Sequence, residues 1–265
     1  MRQIKSPQSE TKTEKEPIRV LSRAFSILVH MARERRPLGI TEIASAVSLP
    51  KATVYRMLDS LEGERAVLNR GGEYEIGPVA LLLADAYRRQ LGFAEVARAR
   101  LLALRSATKE TVHLFVYERG EFYYLDKMES PYQVRMHSQV GAKASLVRLS
   151  AGKAVLASLS EDERRAIGES IPESVKAEFP QIRAKGYAVD DEQNEPGLRC
   201  VGAAILDGRG YPRGAVSVSA PVYRFTAELI GQYGALVRSA AQGIGEDVLR
   251  SEAPDGHLER RAINE

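Results

Sequence analysis

The stretch ITEIASAVSLPKATVYRMLDSLEGERAVLNRGGEYEIG, residues 40–77, decides the first half of the fold. Thr41 reads as the N-cap of a short helix over TEIASAV, with Ile43, Ala44 and Val47 turned inward. Ser48-Leu49-Pro50 makes a tight connection. A third helix over 51–62 follows, and Pro50 suits its edge because a missing N–H costs nothing in a first helical turn. Val54, Leu58 and Leu61 form one face of that helix, and Thr53, Arg56 and Ser60 form the opposite face. Ala66-Val67-Leu68 and Tyr74-Glu75-Ile76, around the turn Asn69-Arg70-Gly71-Gly72, read as a β-hairpin. Upstream, Leu21, Phe25, Leu28 and Ala32 share one face of a helix that starts near Ile18 and ends before Pro37. Helices, a short turn, a further helix and a hairpin make a winged helix-turn-helix.

That layout points to DNA. A major groove admits a helix, and Arg and Thr reach base edges there. Lys51, Ala52 and Thr53 stand at a helix N-terminus, where N–H groups and the helix dipole favour a phosphate. The candidate contacts are Lys51, Thr53, Tyr55 and Arg56 on the third helix, with Arg65 and Arg70 on the wing suited to backbone phosphates. Charge alone is weak support: 38 Lys+Arg against 35 Asp+Glu leave a net +3. A three-helix bundle with a solvated polar face has the same periodicity. A sensor module without DNA binding is a further alternative, against which the Thr53–Arg56 face argues.

Outward from this block, Pro78 opens a long helical stretch that Gly92 interrupts. The division expected is a flexible arm over 1–17, a DNA-binding domain over 18–77, a linker helix over 78–94, a second domain over 95–250 and a polar tail over 251–265. In the second domain two strands, 111–117 and 122–125, flank Arg119-Gly120, and a third strand is expected at 133–138. Helices follow at 151–158, 161–169 and 172–185. Strands 198–206 and 214–220 flank the turn Asp207-Gly208-Arg209-Gly210, and a last helix covers 227–249. The class is α+β with a mostly antiparallel sheet.

Composition bounds the function. A chain of 265 residues with 44% hydrophobic and 28% charged residues is globular and long enough for two domains. The one cysteine, Cys200, excludes an internal disulfide and a multi-Cys zinc site, and fits a reducing cytoplasm. No apolar run approaches the ~20 residues of a membrane span, and residues 1–17 lack the apolar core of a secretory signal. Histidines 30, 113, 137 and 257 have no metal spacing, and no cofactor is expected. An enzyme is the rival class, with Cys200 as nucleophile and His113 or His137 as base, but nothing local activates the thiol. VRLSAGKA lacks the first glycine of a phosphate loop and the Ser or Thr that would hold magnesium.

The residues 40–84 resemble the DNA-binding region of IclR-type transcriptional regulators. GAKASLVRLSAGKAVLA (141–157), GYAVDDEQNEPGLRCVGAAILD (186–207) and GAVSVSAPVYRFT (214–226) are similar to that family's later segments, in the same order. The resemblance spans about 18–250. It departs at Gln193, usually Glu, at Leu206, usually an aromatic, His or Asn, and at Ser145, Val147 and Leu149, usually Pro, His and Thr. It implies a C-terminal effector-binding domain with a GAF-like fold. It also implies a small-acid pocket made by the N–H groups of Gly141 and Ala142 and the side chains of Asp190, Cys200, Ser217 and Ser219. Ser217 and Ser219 are two apart on a strand and so share a face, successive N–H groups can hold an anionic oxygen, and Asp190 can accept from a hydroxyl. Read without the resemblance, Cys200 is a small buried hydrophobe and the serines are strand packing. The expected partners are a pseudo-palindromic operator, a small organic acid, and further copies of the chain in a homodimer or dimer of dimers. Leu81, Leu82 and Tyr87 are candidates for the dimer contact.

Overall fold

A computed structural model of the chain describes residues 18–252. The arm expected over 1–17 and most of the tail expected over 251–265 lie outside them. The chain divides into two compact units, the first up to Ala86 and the second from Tyr87.

The first unit runs α1 (Arg19–Glu34), β1 (Leu38–Gly39), α2 (Ile40–Ala46), α3 (Lys51–Gly63), β2 (Val67–Arg70) and β3 (Glu73–Ile76), then enters α4 (Val79–Leu91). Its antiparallel sheet has the order β1-β3-β2. Ile27, Met31, Leu38, Ile43, Val54, Leu58, Val67 and Tyr74 make its core. The wing closes on Gly71 and Gly72, at φ 68° and 95°, the left-handed pair that a two-residue hairpin loop requires. Two expectations are corrected. Thr41 is not a cap: Leu38–Gly39 pairs with β3, which fixes the backbone up to Gly39 and starts α2 at Ile40 with no side-chain cap. The buried face of α1 is Ile27 and Met31. Leu21 and Phe25 stand 55% and 63% exposed, so the regular apolar face is the one this unit leaves open.

The second unit opens at the end of α4. Gly92, at φ 74°, separates α4 from α5 (Phe93–Thr108). Then come β4 (Thr111–Glu118), β5 (Glu121–Met128), α6 (Ser150–Ser158), α7 (Glu161–Ala166), α8 (Glu173–Lys185), β6 (Ala188–Asp191), β7 (Leu198–Leu206), β8 (Pro212–Pro221), a short 3-10 turn (Ala227–Leu229) and α9 (Ile230–Glu252). The five strands form one antiparallel sheet of order β5-β4-β8-β7-β6. Alternation sorts the side chains. Val112, Leu114, Val201, Ala203, Val216 and Val218 pack with α5 and α9. Phe115, Tyr117 and Ala215 pack with α6 and α8.

Three differences from expectation remain. No strand forms at 133–138: Arg135 turns back onto the Tyr132 and Gln133 carbonyls, so the backbone bends. The chain instead joins the outer edge of β5 later, where Lys143 bridges Tyr123. The helix expected over 161–169 stops at Ala166, ahead of Gly168 at φ 72°. The edge strand β6 was not anticipated. Its four residues, AVDD, carry two acids and no alternating pattern.

Candidate functional site

In the first unit the sequence of α3 sorts as its periodicity requires. Val54 and Leu58 are fully buried, while Lys51, Tyr55 and Arg56 are exposed and Thr53 is half-buried. The α2–α3 connection turns at Ser48, in the left-handed region at φ 53°. No side chain caps the start of α3; the Thr53 and Val54 N–H groups donate to the Pro50 carbonyl, which leaves those of Lys51 and Ala52 for another acceptor. Arg65 is exposed but precedes the hairpin, at the corner between α3 and β2. Arg70 stands at the wing tip, where its Nε donates to Glu75 Oε2 at 3.0 Å. Such an exposed pair is weak and exchanges readily for a phosphate. The structure therefore gathers Lys51, Thr53, Tyr55 and Arg56 on one helix, with Arg65 and Arg70 apart from them.

In the second unit, strand register assembles a buried polar cluster. Asp190 opposes Cys200, Cys200 opposes Ser219, Gly202 opposes Ser217, and Ser217 opposes His113. Opposed residues share a face with Cβ atoms about 5 Å apart. Asp190, Cys200, Ser217, Ser219 and His113 are each at most 3% exposed, on the face that carries α6. Helix α6 seats at this point because residue 202 is glycine. A Cβ there would fall 2.4 Å from the Ala151 nitrogen and 2.6 Å from its Cα.

The Asp190 Oδ1 accepts from the N–H groups of Gln193 at 2.9 Å and Asn194 at 3.1 Å. Burial pushes its carboxyl above the usual range, against those N–H groups and Lys153. Burial, then the Asp190 charge, pushes the Cys200 thiol up to about 12; a hydrogen bond with Ser219 opposes the shift. The thiol is held protonated, the reverse of what a nucleophile needs. Lys153 is fully buried and its Nζ donates to Glu178 Oε2 and Gln193 Oε1, each at 2.7 Å. Gln193 thus leaves Glu178 to balance the ammonium.

Gly141 and Ala142 do not present a free pair of donors. The Gly141 N–H donates to the Tyr124 carbonyl at 2.7 Å and the Ala142 N–H to Gln139 at 3.1 Å. The edge pairing of this segment along β5 takes the first, and a local turn takes the second. What the sequence reading missed is Tyr124 itself. Its hydroxyl is pushed up to about 12, first by burial and then by Cys200 and Asp190. A register shift between Leu114 and Phe115 sets its ring on the Phe115 face, and that shift leaves no mark in the sequence. Tyr124 and Asn194 also line a cavity of about 520 Å³ with Lys143, Ser145, Val147 and Arg148.

Residues 86–246 match the family described as "Bacterial transcriptional regulator IclR C-terminal", and residues 20–70 match "IclR helix-turn-helix domain". The HTH-type transcriptional regulator KdgR of Escherichia coli K12 is 32% identical over 248 residues, 87% of this chain and 94% of that protein. The crystal structure of the Thermotoga maritima IclR superposes with a TM-score of 0.74 at 29% identity, over 88% of this chain and 99% of the other. An IclR homologue of Microbacterium hydrocarbonoxydans, solved with 4-hydroxybenzoate, shares the fold at TM-score 0.76 and 19% identity, over 88% and 100% of the two chains. The relatives are regulators, and with the protonated thiol this removes the reading of Cys200 as an enzymatic nucleophile. The chain belongs to the IclR family of bacterial transcriptional regulators, and its first unit carries that family's DNA-binding helix-turn-helix.

Proposed function

We propose that this regulator reads a pseudo-palindromic operator through α3 and that a small organic acid in the second unit modulates the binding. The observation that carries the effector half is the buried cluster of Asp190, Cys200, Ser217 and Ser219. Polar side chains gathered at one place on the sheet face that carries α6 are costly to bury without a use. Ser, Cys and Tyr hydroxyl or thiol groups held neutral offer donors to a carboxylate, and Asp190 offers an acceptor to a hydroxyl. The cavity bounded by Tyr124 and Asn194 supports entry from that side.

Lys51, Thr53, Tyr55 and Arg56 are the proposed groove contacts, with Arg65 and Arg70 on flanking phosphates. A homodimer or dimer of dimers matches a palindrome. Leu81 and Leu82 on α4 are 76% and 64% exposed, and we assign them, with Tyr87, to the contact between copies. The open Leu21 and Phe25 face of α1 supports the same assembly.

The experiment is DNA binding by fluorescence anisotropy on the chain's own upstream sequence, over a salt series, with and without each of a panel of small carboxylic acids. Affinity should fall steeply with salt through counterion release, and one acid should shift it, by an amount typical of coupled sites of about 1–3 kcal/mol. Ser217→Ala and Asp190→Ala should lose the acid response and keep DNA binding. Full response in both variants sinks the pocket assignment, and salt-insensitive or sequence-blind binding sinks the operator assignment.

A further inference from the structure

His113 is fully buried on β4, where its strand partner is Ser217. Its ring meets Tyr124 edge-on, with centroids 5.3 Å apart, and lies 5.9 Å from Phe115. One nitrogen is in use: Nε2 is 2.8 Å from Ser138 Oγ. Ser138 belongs to the segment between β5 and α6, and its carbonyl accepts from Lys127 Nζ at 3.0 Å. The other nitrogen, Nδ1, is buried and has no partner among the described residues. The one comparable atom among the described residues is His30 Nε2, in the first unit. Native proteins pair nearly all buried polar atoms, and an exception calls for a ligand, a water or a function.

We infer that His113 Nδ1 is a further effector contact, facing the same ligand as Ser217 and hydrogen-bonding an oxygen of the bound acid. The inference rests on the effector reading above. Burial, helped by the nearby Lys127 charge, pushes the imidazole down to about 3, so the ring is neutral at ordinary pH. A neutral imidazole has one donor and one acceptor. Nδ1 therefore takes a carboxylate oxygen when it carries the proton, and a hydroxyl when Nε2 does. Either bond selects the tautomer, and through Nε2 it sets whether Ser138 donates or accepts. Ligand occupancy is thereby read by the segment that carries Gly141 and Ala142.

The test uses the full chain with three probes, pyruvate, lactate and 4-hydroxybenzoate, titrated by calorimetry. His113→Gln keeps an amide near the Nε2 position and loses Nδ1, while His113→Asn does the reverse. The inference expects about tenfold weaker binding of the best probe in His113→Gln, the size of one lost hydrogen bond. His113→Asn should bind more tightly than His113→Gln. Unchanged affinity in His113→Gln overturns the role of His113 alone. A wild-type chain that binds none of the three overturns the effector reading and this inference with it. A measurement on the wild type covers the case of a variant that does not fold. With ¹⁵N-labelled histidine, the His113 Nδ1 resonance, identified as one that stays neutral from pH 5 to 8, should move on saturation with the probe. A resonance that stays in place at saturation overturns the contact.

Discussion

Labelling of Cys200 probes the cluster directly, because the chain has no other thiol. Disulfide reagents attack the thiolate, and a free cysteine with a pKa near 8.5 is about 3% thiolate at pH 7. With its pKa pushed up to about 12, the Cys200 thiol is ionised in about one molecule in 10⁵ at that pH. The ionisation factor alone slows reaction by roughly 3,000-fold. Burial adds to it, since the sulfur at 3% exposure offers the reagent little surface. Reaction by local opening of the fold bypasses the ionisation factor, but opening that exposes a core strand costs about as much as unfolding it. The assay is the release of thionitrobenzoate from an aromatic disulfide at pH 7, for the native chain and for the chain in guanidinium chloride. The unfolded chain should release one equivalent promptly, and the native chain should lag by three orders of magnitude or more. A native rate within tenfold of the unfolded rate refutes the reasoning, and would reopen Cys200 as a reactive thiol.

Three further outcomes concern α3, the seat of α6 and the buried imidazole. Arg56→Ala should weaken specific operator binding by about 1–3 kcal/mol if the guanidinium reads a base; equal weakening on every sequence in anisotropy would make it a phosphate contact instead. Gly202→Val places carbon where the Ala151 backbone stands, so it should destabilise the fold by about 1–3 kcal/mol or more and lower the calorimetric Tm; an unchanged Tm would show that α6 does not seat on β7 at this point. His113 is held neutral, with its pKa pushed down to about 3, while an unfolded histidine titrates near 6.5. The unfolded state then binds the extra proton between pH 6.5 and 3, so the stability is whole above 6.5 and is lost as pH falls through that window, at about 1.4 kcal/mol per pH unit below 6.5. Urea midpoints at pH 7.5 and 5 should differ by more in the wild type than in His113→Gln, and equal differences would contradict the burial.

How much of this was legible depended on whether a feature is local. The strand over Leu198–Leu206 and the break at Gly92 are written in neighbouring residues, and both stand where the sequence indicates. The apolar face of α3 was legible for the same reason. The face of α1 was not, because periodicity shows that Leu21 and Phe25 align but not what covers them. The four cluster side chains came from a motif resemblance, and the register of β6, β7 and β8 explains why they meet. Tyr124 was out of reach because a bulge sets its side, and the count of alternation along β5 fails across a bulge. Gly141 and Ala142 illustrate the other limit. Their sequence indicates two successive N–H groups, but the Gly141 proton is taken by Tyr124 on the edge of β5, 17 residues away in the chain, and the Ala142 proton by the Gln139 carbonyl in a local turn.

The electrostatic character of the cluster restricts what it can select. Its donors are neutral: the two serines, a thiol and a phenol whose protons burial retains, and an imidazole that burial keeps uncharged. The two ammonium groups near it are already answered, Lys153 by Glu178 and Lys127 by Glu129. A carboxylate entering this site is therefore held by hydrogen bonds and not by a full opposing charge. On the proposed effector reading, Asp190 makes the arrangement selective. Its Oδ1 is committed to the Gln193 and Asn194 N–H groups, and its desolvated carboxyl favours a partner that brings a proton. An acid with a hydroxyl or hydrated carbonyl supplies that proton, whereas a simple acid sets a carboxylate against it and leaves an acceptor unmatched, the combination that discriminates most strongly in a buried site. Tight binding alone does not regulate. On the proposed effector reading the acid binds the DNA-competent and DNA-incompetent states unequally, and the hydrogen bonds that lead from the cluster to the β5–α6 segment run through Ser138 on one side and the Tyr124 backbone on the other.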